Sequence, residues 1–218
     1  MTALIDAQTR SPEAQVALTG GSMGSAIIAT VARTPGRTAV DWSRVRVWWG
    51  DERYLPAGDP ERNDTQNDEA GLSALGLDPE KVHRVAGPDA SESAEASAQA
   101  YGETIREHGQ KVWDVVLFGV GPDGHVASLF PHHPAQRQTD AIAVAVHDSP
   151  KPPPDRVTLT FEAMQRCRAV WFIASGDGKA EAVARALADE GSVHETPARG
   201  VSGDETIWWL DSAAASHI

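Results

Sequence analysis

Asp123 and His125 stand two positions apart in the stretch GVGPDGHVASLFP, residues 119–131. A carboxylate beside an imidazole can hold or move a proton near neutral pH, because histidine titrates at about 6.5. Gly119, Gly121 and Gly124 punctuate the same loop and permit a close approach of backbone to ligand. Ahead of it runs VVLF, residues 115–118, which reads as a buried strand delivering a titratable pair to a tight turn. Spacing alone also fits a strand-to-helix turn in which the histidine merely packs, and it leaves the two readings open. Numerically the loop matches G-x-G-x-x-G as well. Pro122 and the following SLFP do not suit the helix that a dinucleotide site requires.

Other groups that could meet a ligand also fall at the ends of apolar runs. Val16, Ala17 and Leu18 lead into Thr19, Gly20, Gly21 and Ser22, after which Ile27, Ile28 and Val31 predict a helix ending before Pro35. Backbone N–H groups at such a helix start favour anions, although a lone glycine pair is a weak signal. Val45, Val47 and Trp49 share one face of a second strand that empties into Gly50, Asp51, Glu52 and Arg53. Charges there belong either to a ligand crevice or to a solvated loop, and Asn63 beyond them can cap the next helix. Lys151 and Arg156 flank three prolines that stiffen the backbone and lower the entropy lost on binding an anion. Lys179 follows Gly176 and Gly178 where another helix is expected to open, running to Glu190.

The elements that position these residues repeat as strand, glycine loop and helix. Further strands are expected over residues 141–146, at Val157 and Leu159, over 169–175 and over 207–210. Helices are expected in the Ala-rich stretch from Asp89, where Ala94, Ala98, Tyr101 and Ile105 recur at helical spacing, over 161–166 and from Ala213 to Ala215, and Leu4 and Ile5 suit the end of another. This order predicts an α/β fold, a three-layer, doubly wound and mostly parallel sheet with helices on both faces. The glycine loops would then share one edge of the sheet. At 218 residues one domain over 1–218 is the natural expectation.

A formal charge of −12 argues against nucleic acid or an acidic membrane as partner, so an anionic ligand needs a local cluster of cations. The single cysteine, Cys167, excludes an internal disulfide and fits a core position in a reducing cytoplasm. No basic-then-apolar leader and no apolar run of about 18 residues is present. The expectation is a cytoplasmic protein. His132 and His133 are adjacent and cannot easily converge on one ion with His125, so no metal site is assigned. The tryptophans are read as packing.

Four stretches, in this order, resemble the 6-phosphogluconolactonase family: LTGGSMG at 18–24, WGDERYLP at 49–56 with Asn63 beyond, GVGPDGHVASLFP at 119–131 and KPPPDRVTLT at 151–160. GDGKAEAV at 176–183 and WWLDSAAA at 208–215 add two weaker matches. The resemblance implies hydrolysis of 6-phospho-D-glucono-1,5-lactone to 6-phosphogluconate in the oxidative pentose phosphate pathway, with no metal or organic cofactor. It implies His125 as general base for water, Asp123 as the group that sets the imidazole, and Arg53 against substrate and the developing anion. Gly20, Gly21, Ser22, Asp51, Lys151, Arg156 and Lys179 become the candidates for sugar and phosphate contacts. Such chemistry suits this inventory, since an activated lactone needs no covalent step and the chain has no G-x-S-x-G elbow.

Two departures stand out. The family's first loop usually reads SGGSTP, and here it reads TGGSMG. The family pattern also carries a strand and a helix ahead of that loop, whereas 17 residues precede Leu18, so a late start or a lost edge element is expected. Two rivals are carried: a glucosamine-6-phosphate deaminase or isomerase on the same fold, and a catalytically silent sugar-phosphate binding protein. ASLFP after His125 and KPPPDR favour the lactonase over the first, and Asp123, His125 and Arg53 together speak against the second. Nothing in the sequence fixes the oligomeric state, and a monomer is the working expectation.

Overall fold

A computed structural model describes residues 1–109 and 112–218. In chain order it contains α1 (Thr2–Arg10), β1 (Ala14–Leu18), α2 (Gly21–Arg33), β2 (Val45–Trp49), β3 (Asp51–Arg53), α3 (Asn63–Glu69) and α4 (Ala94–His108). Then follow β4 (Trp113–Gly119), β5 (Ala143–Val146), β6 (Arg156–Leu159), α5 (Phe161–Gln165), β7 (Cys167–Ala174), α6 (Ala180–Leu187) and β8 (Glu205–Leu210), with short 3-10 turns between. A five-stranded sheet runs β2-β1-β4-β7-β8 and every pairing in it is parallel. The expected doubly wound α/β architecture is present.

Side chains alternate across a strand, and here the alternation sorts two cores. Val16, Leu18, Val115 and Leu117 face one way and pack with Leu4 of α1 and Ile28 of α2. Ala17, Val116 and Phe118 face the other way and pack with Tyr101 and Ile105 of α4 and Val183 of α6. Tyr101 pins α4 to the sheet: its hydroxyl accepts from Trp49 N–H at 2.8 Å and donates to Trp49 O at 3.0 Å. A buried phenol satisfied in both roles contributes to packing without the cost of an orphaned polar group. Cys167 is buried in the first of these faces' opposite core, and burial pushes its thiol up to about 12.

Several expectations need correction. Residues 51–53, read as a loop, form β3, which pairs antiparallel with β6, while β5 pairs on the other side of β6. This second, three-stranded sheet takes the strands expected at 141–146 and at Val157 and Leu159 out of the main sheet. Asn63 does not cap its helix, because it already lies in the first turn, and the Glu52 carboxylate takes that role by accepting from Asn63 N–H at 2.6 Å and Asp64 N–H at 2.9 Å. The helix after Lys179 stops at Leu187, and residues 212–216 form turns and not a helix. At the other end, α1 extends from Thr2 to Arg10, beyond Leu4 and Ile5. No helix among the described residues is long and apolar enough to cross a membrane.

Candidate active site

The chain winds from β1 outward to β2 and then back across to β4, so the strand order reverses between β1 and β4. In open α/β sheets the crevice beyond the carboxyl ends of strands at such a reversal is where ligands bind. The loop after Leu18 and the loop after Gly119 both open there. Between them lies a cavity of about 190 Å³ lined by Gly20, Gly21, Ser22, Asp51, Arg53, His125, Arg156 and Lys179. Asp123 and Lys151 attach to it through His125. All ten residues singled out from the sequence are therefore brought to one place.

Residues 120–125 hold the pair in a tight turn, with Gly124 N–H donating to Gly121 O at 2.8 Å and Gly121 N–H to His125 O at 3.0 Å. Asp123 Oδ1 stands 2.6 Å from His125 Nδ1. A carboxylate only accepts, so Nδ1 carries the proton and Nε2 is left with a lone pair for a substrate-side proton. A Cβ at Gly121 would lie 1.9 Å from His125 Nδ1 and 2.4 Å from Asp123 Oδ1, so only glycine leaves room for the pair. The His125 ring also packs against Phe130, centroids 4.6 Å apart. No helix opens after Gly124: residues 126–129 form a bridge and a turn, which removes the dinucleotide reading.

Burial by itself would raise the Asp123 carboxyl, but the hydrogen bond and charge of His125 and the charge of Lys151 outweigh it and hold it well below the usual carboxylate range. Lys151 Nζ lies 3.5 Å from Asp123 Oδ1 and 3.3 Å from His125 Nδ1. Its ammonium thus sits where the carboxylate and the Nδ1 edge of the imidazole meet. Arg156, expected on the proline loop, is instead the first residue of β6, and it organises that loop by donating to the carbonyls of Lys151, Pro152 and Pro153 at 3.0–3.2 Å. Lys179 donates to Val120 O at 2.7 Å, and burial followed by the nearby Lys151 charge lowers its pKa. Asp211 explains the two weaker motifs together: its carboxylate accepts from Ser175 Oγ at 2.6 Å and from Gly176 N–H at 3.1 Å, fixing the turn that presents Lys179.

Arg53 reaches the cavity because Glu52, 1% exposed, holds the surrounding backbone. Glu52 accepts from the N–H of Arg53 at 2.8 Å as well as from Asn63 and Asp64, and Arg62 lies 3.9 Å from it. Burial, then the Asp64 charge, pushes its carboxyl up, while Arg62 and the backbone donors oppose that rise. Asp51 is oriented by Ser128, whose hydroxyl donates to Asp51 Oδ2 at 2.6 Å. On the glycine loop, Gln66 Oε1 accepts from Gly21 N–H at 3.1 Å, and the amide of buried Asn63 fills the space where a Gly20 side chain would stand. Glu52, Asn63, Gln66 and Ser128 escaped the sequence reading as site residues. DER and the capping-type Asn63 were visible, but which polar group faces which loop depends on the second sheet.

Four cations, Arg53, Lys151, Arg156 and Lys179, thus gather with two carboxylates in a protein of net charge −12. The fold and this cluster define an α/β protein with a cation-rich crevice, whose charge suits an anionic ligand, beside a carboxylate-set imidazole. The chain belongs to the glucosamine-6-phosphate isomerases/6-phosphogluconolactonase family, whose profile matches residues 1–209. It is 48% identical over 228 residues to the 6-phosphogluconolactonase of Streptomyces coelicolor, covering 100% of this chain and 87% of the relative. With the 6-phosphogluconolactonase of Mycobacterium leprae the identity is 42% over 212 residues, covering 94% and 85%. Among solved structures, 6-phosphogluconolactonase from Thermotoga maritima superposes with a TM-score of 0.84 at 27% identity, covering 96% of this chain and 90% of that one. The enzyme from Trypanosoma brucei gives 0.84 at 27% identity, covering 100% and 91%. A monomeric glucosamine-6-phosphate deaminase shares the fold at 0.82 and 20% identity.

Proposed function

We propose that this chain hydrolyses 6-phospho-D-glucono-1,5-lactone to 6-phosphogluconate, the second step of the oxidative pentose phosphate pathway. The observation that carries the reading is the carboxylate-set imidazole of His125 facing a pocket ringed by cations, in a chain closely similar to named 6-phosphogluconolactonases. Water bound at Nε2 would lose its proton to His125 as its oxygen attacks the lactone carbonyl. Asp123 keeps Nδ1 protonated and offsets the imidazolium that forms. The tetrahedral anion then collapses with expulsion of the ring oxygen, which takes a proton from the imidazolium and completes the turnover.

Arg53 faces the same cavity and supplies a fixed positive group for the developing anion. Lys151, Arg156 and Lys179 supply charge for the phosphate, with Lys151 the freest of the three, since Arg156 and Lys179 already donate to backbone carbonyls. Gly20, Gly21, Ser22 and Asp51 line the remaining wall against the sugar. A monomer is the working unit of this reading, and residues 1–218 are taken as one cytoplasmic domain. The test is substrate choice: the protein should accelerate loss of freshly made 6-phosphogluconolactone over its spontaneous hydrolysis and leave glucosamine 6-phosphate unchanged. Turnover of the amino sugar in place of the lactone would assign the chain to the deaminase side of its family.

A further inference from the structure

The connection between β5 and β6, residues 147–155, carries Lys151 and folds back on itself. Ser149 N–H donates to Pro154 O at 3.0 Å and Ser149 Oγ to Lys151 O at 2.8 Å. At the base of this hairpin His147 stands between two carboxylates, with Nδ1 2.6 Å from Asp155 Oδ1 and Nε2 2.6 Å from Glu95 Oε1. Glu95 lies in the first turn of α4 and Asp155 directly precedes β6, so one imidazole ties both arms of the hairpin to a helix. From the opposite side His133 Nε2 approaches the His147 carbonyl at 2.8 Å. Asp148, Arg106 and Asp140 are the other charged groups that line the same groove.

Carboxylates only accept hydrogen bonds, so both contacts can be made at once only by a ring protonated on both nitrogens. A neutral ring has one N–H and must turn a lone pair towards one of the two anions. Consistent with this, the hydrogen bonds to Asp155 and then Glu95 raise the His147 pKa, and the bond to His147 lowers Glu95 to about 2.

We propose that His147 is a proton-dependent latch on the β5–β6 hairpin, a positioning residue that keeps Lys151 beside the His125–Asp123 pair and over the substrate phosphate. The inference rests on the reading above that Lys151 contacts that phosphate. With the ring charged, the base of the hairpin is closed. When the ring loses its proton, Asp155 or Glu95 is released and the loop that aims Lys151 loses one of its ties. Because the pKa is raised in the folded protein, the latch is complete below the ordinary imidazole value and is lost as pH rises through the raised one.

The test compares the affinity for 6-phosphogluconate, measured by calorimetry from about pH 7 to about pH 9, in the parent and in His147→Arg. Arginine stays charged and can reach two carboxylates with its fork, and above about pH 7 the ligand phosphate is already largely a dianion. Ligand titration and the other groups of the groove are common to both proteins. The parent should weaken relative to His147→Arg by about two- to fivefold on the alkaline side, the scale of exposed ion pairs. His147→Gln should be weaker than the parent at neutral pH and converge with it at high pH. Parallel pH courses for the parent and His147→Arg would overturn the latch. Should His147→Arg fail to fold, Glu95→Gln combined with Asp155→Asn removes both acceptors; it should lose the parent's alkaline weakening, and a course parallel to the parent's would again overturn the latch. A folded parent that neither binds 6-phosphogluconate nor hydrolyses the lactone would overturn the functional reading itself, and the latch with it.

Discussion

His125 Nδ1 and Asp123 Oδ1 meet at 2.6 Å over the bare Cα of Gly121. The pair depends on that missing side chain as much as on its own chemistry. Gly121→Ala places a Cβ 1.9 Å from the imidazole nitrogen, with no flexible group to yield except the dyad itself. The substitution should cost about 1–3 kcal/mol of stability through overpacking. Its effect on kcat should approach that of removing the base. Parallel thermal melts and lactone kinetics check both, and near-parental kcat would show that the turn tolerates the methyl group with the dyad intact.

Asp123→Asn keeps the shape of the pair and removes its charge, and an amide that donates to Nδ1 would move the ring proton to Nε2. We expect kcat to fall on the order of ten- to a hundredfold, less than the ~10⁴ of a buried triad aspartate, because Asp123 is 33% exposed. In the parent the Asp123 pKa is lowered, so the pairing and the stability it gives are present above the ordinary value and lost only as pH falls through the lowered one. Carboxyl carbon NMR should accordingly show Asp123 still ionised near ~3.9, where a free aspartate is half protonated. Half-protonation there would contradict the assigned charge state.

Glu52 touches no part of the cavity, yet three backbone N–H groups end on its carboxylate. Glu52→Ala leaves them buried without an acceptor and removes the carboxyl group 3.9 Å from Arg62. Unfolding in denaturant should show a loss of about 3 kcal/mol or more. Activity at a temperature where the variant is folded should fall as well, since Arg53 and Asn63 lose their anchor.

The cations should separate by substrate. Arg53→Met should lower kcat/KM about ten- to a hundredfold for the phosphorylated lactone and for glucono-1,5-lactone alike, the scale of a lost charged hydrogen bond at the reacting centre. Lys151→Met should weaken only the phosphorylated substrate. Equal sensitivity of both lactones to Lys151→Met would move Lys151 from the phosphate to the ring.

Much of this is legible in the sequence, and the reasons are local. VVLF before Gly119 and the glycine spacing around Asp123 report a strand and a turn through backbone geometry that the residues themselves set. Residues 51–53 were not legible as a strand because their pairing with β6 joins segments about a hundred residues apart, and DER carries no apolar alternation. Arg156 was recognised as a site cation, but its grip on the carbonyls of 151–153 follows from the path of the proline loop. The supporting roles of Glu52, Gln66 and Ser128 are likewise tertiary: each polar group finds its partner across elements.

Turnover of 6-phosphogluconolactone by the parent and by His125→Ala, followed as loss of fresh lactone against its spontaneous hydrolysis and with a melt to show that the variant is folded, tests the assigned base most directly. General-base catalysis of this kind contributes about 10²–10⁴ in rate, so kcat should drop by that factor while the affinity for 6-phosphogluconate changes little. A folded His125→Ala that turns over lactone at the parental rate would contradict the assigned base.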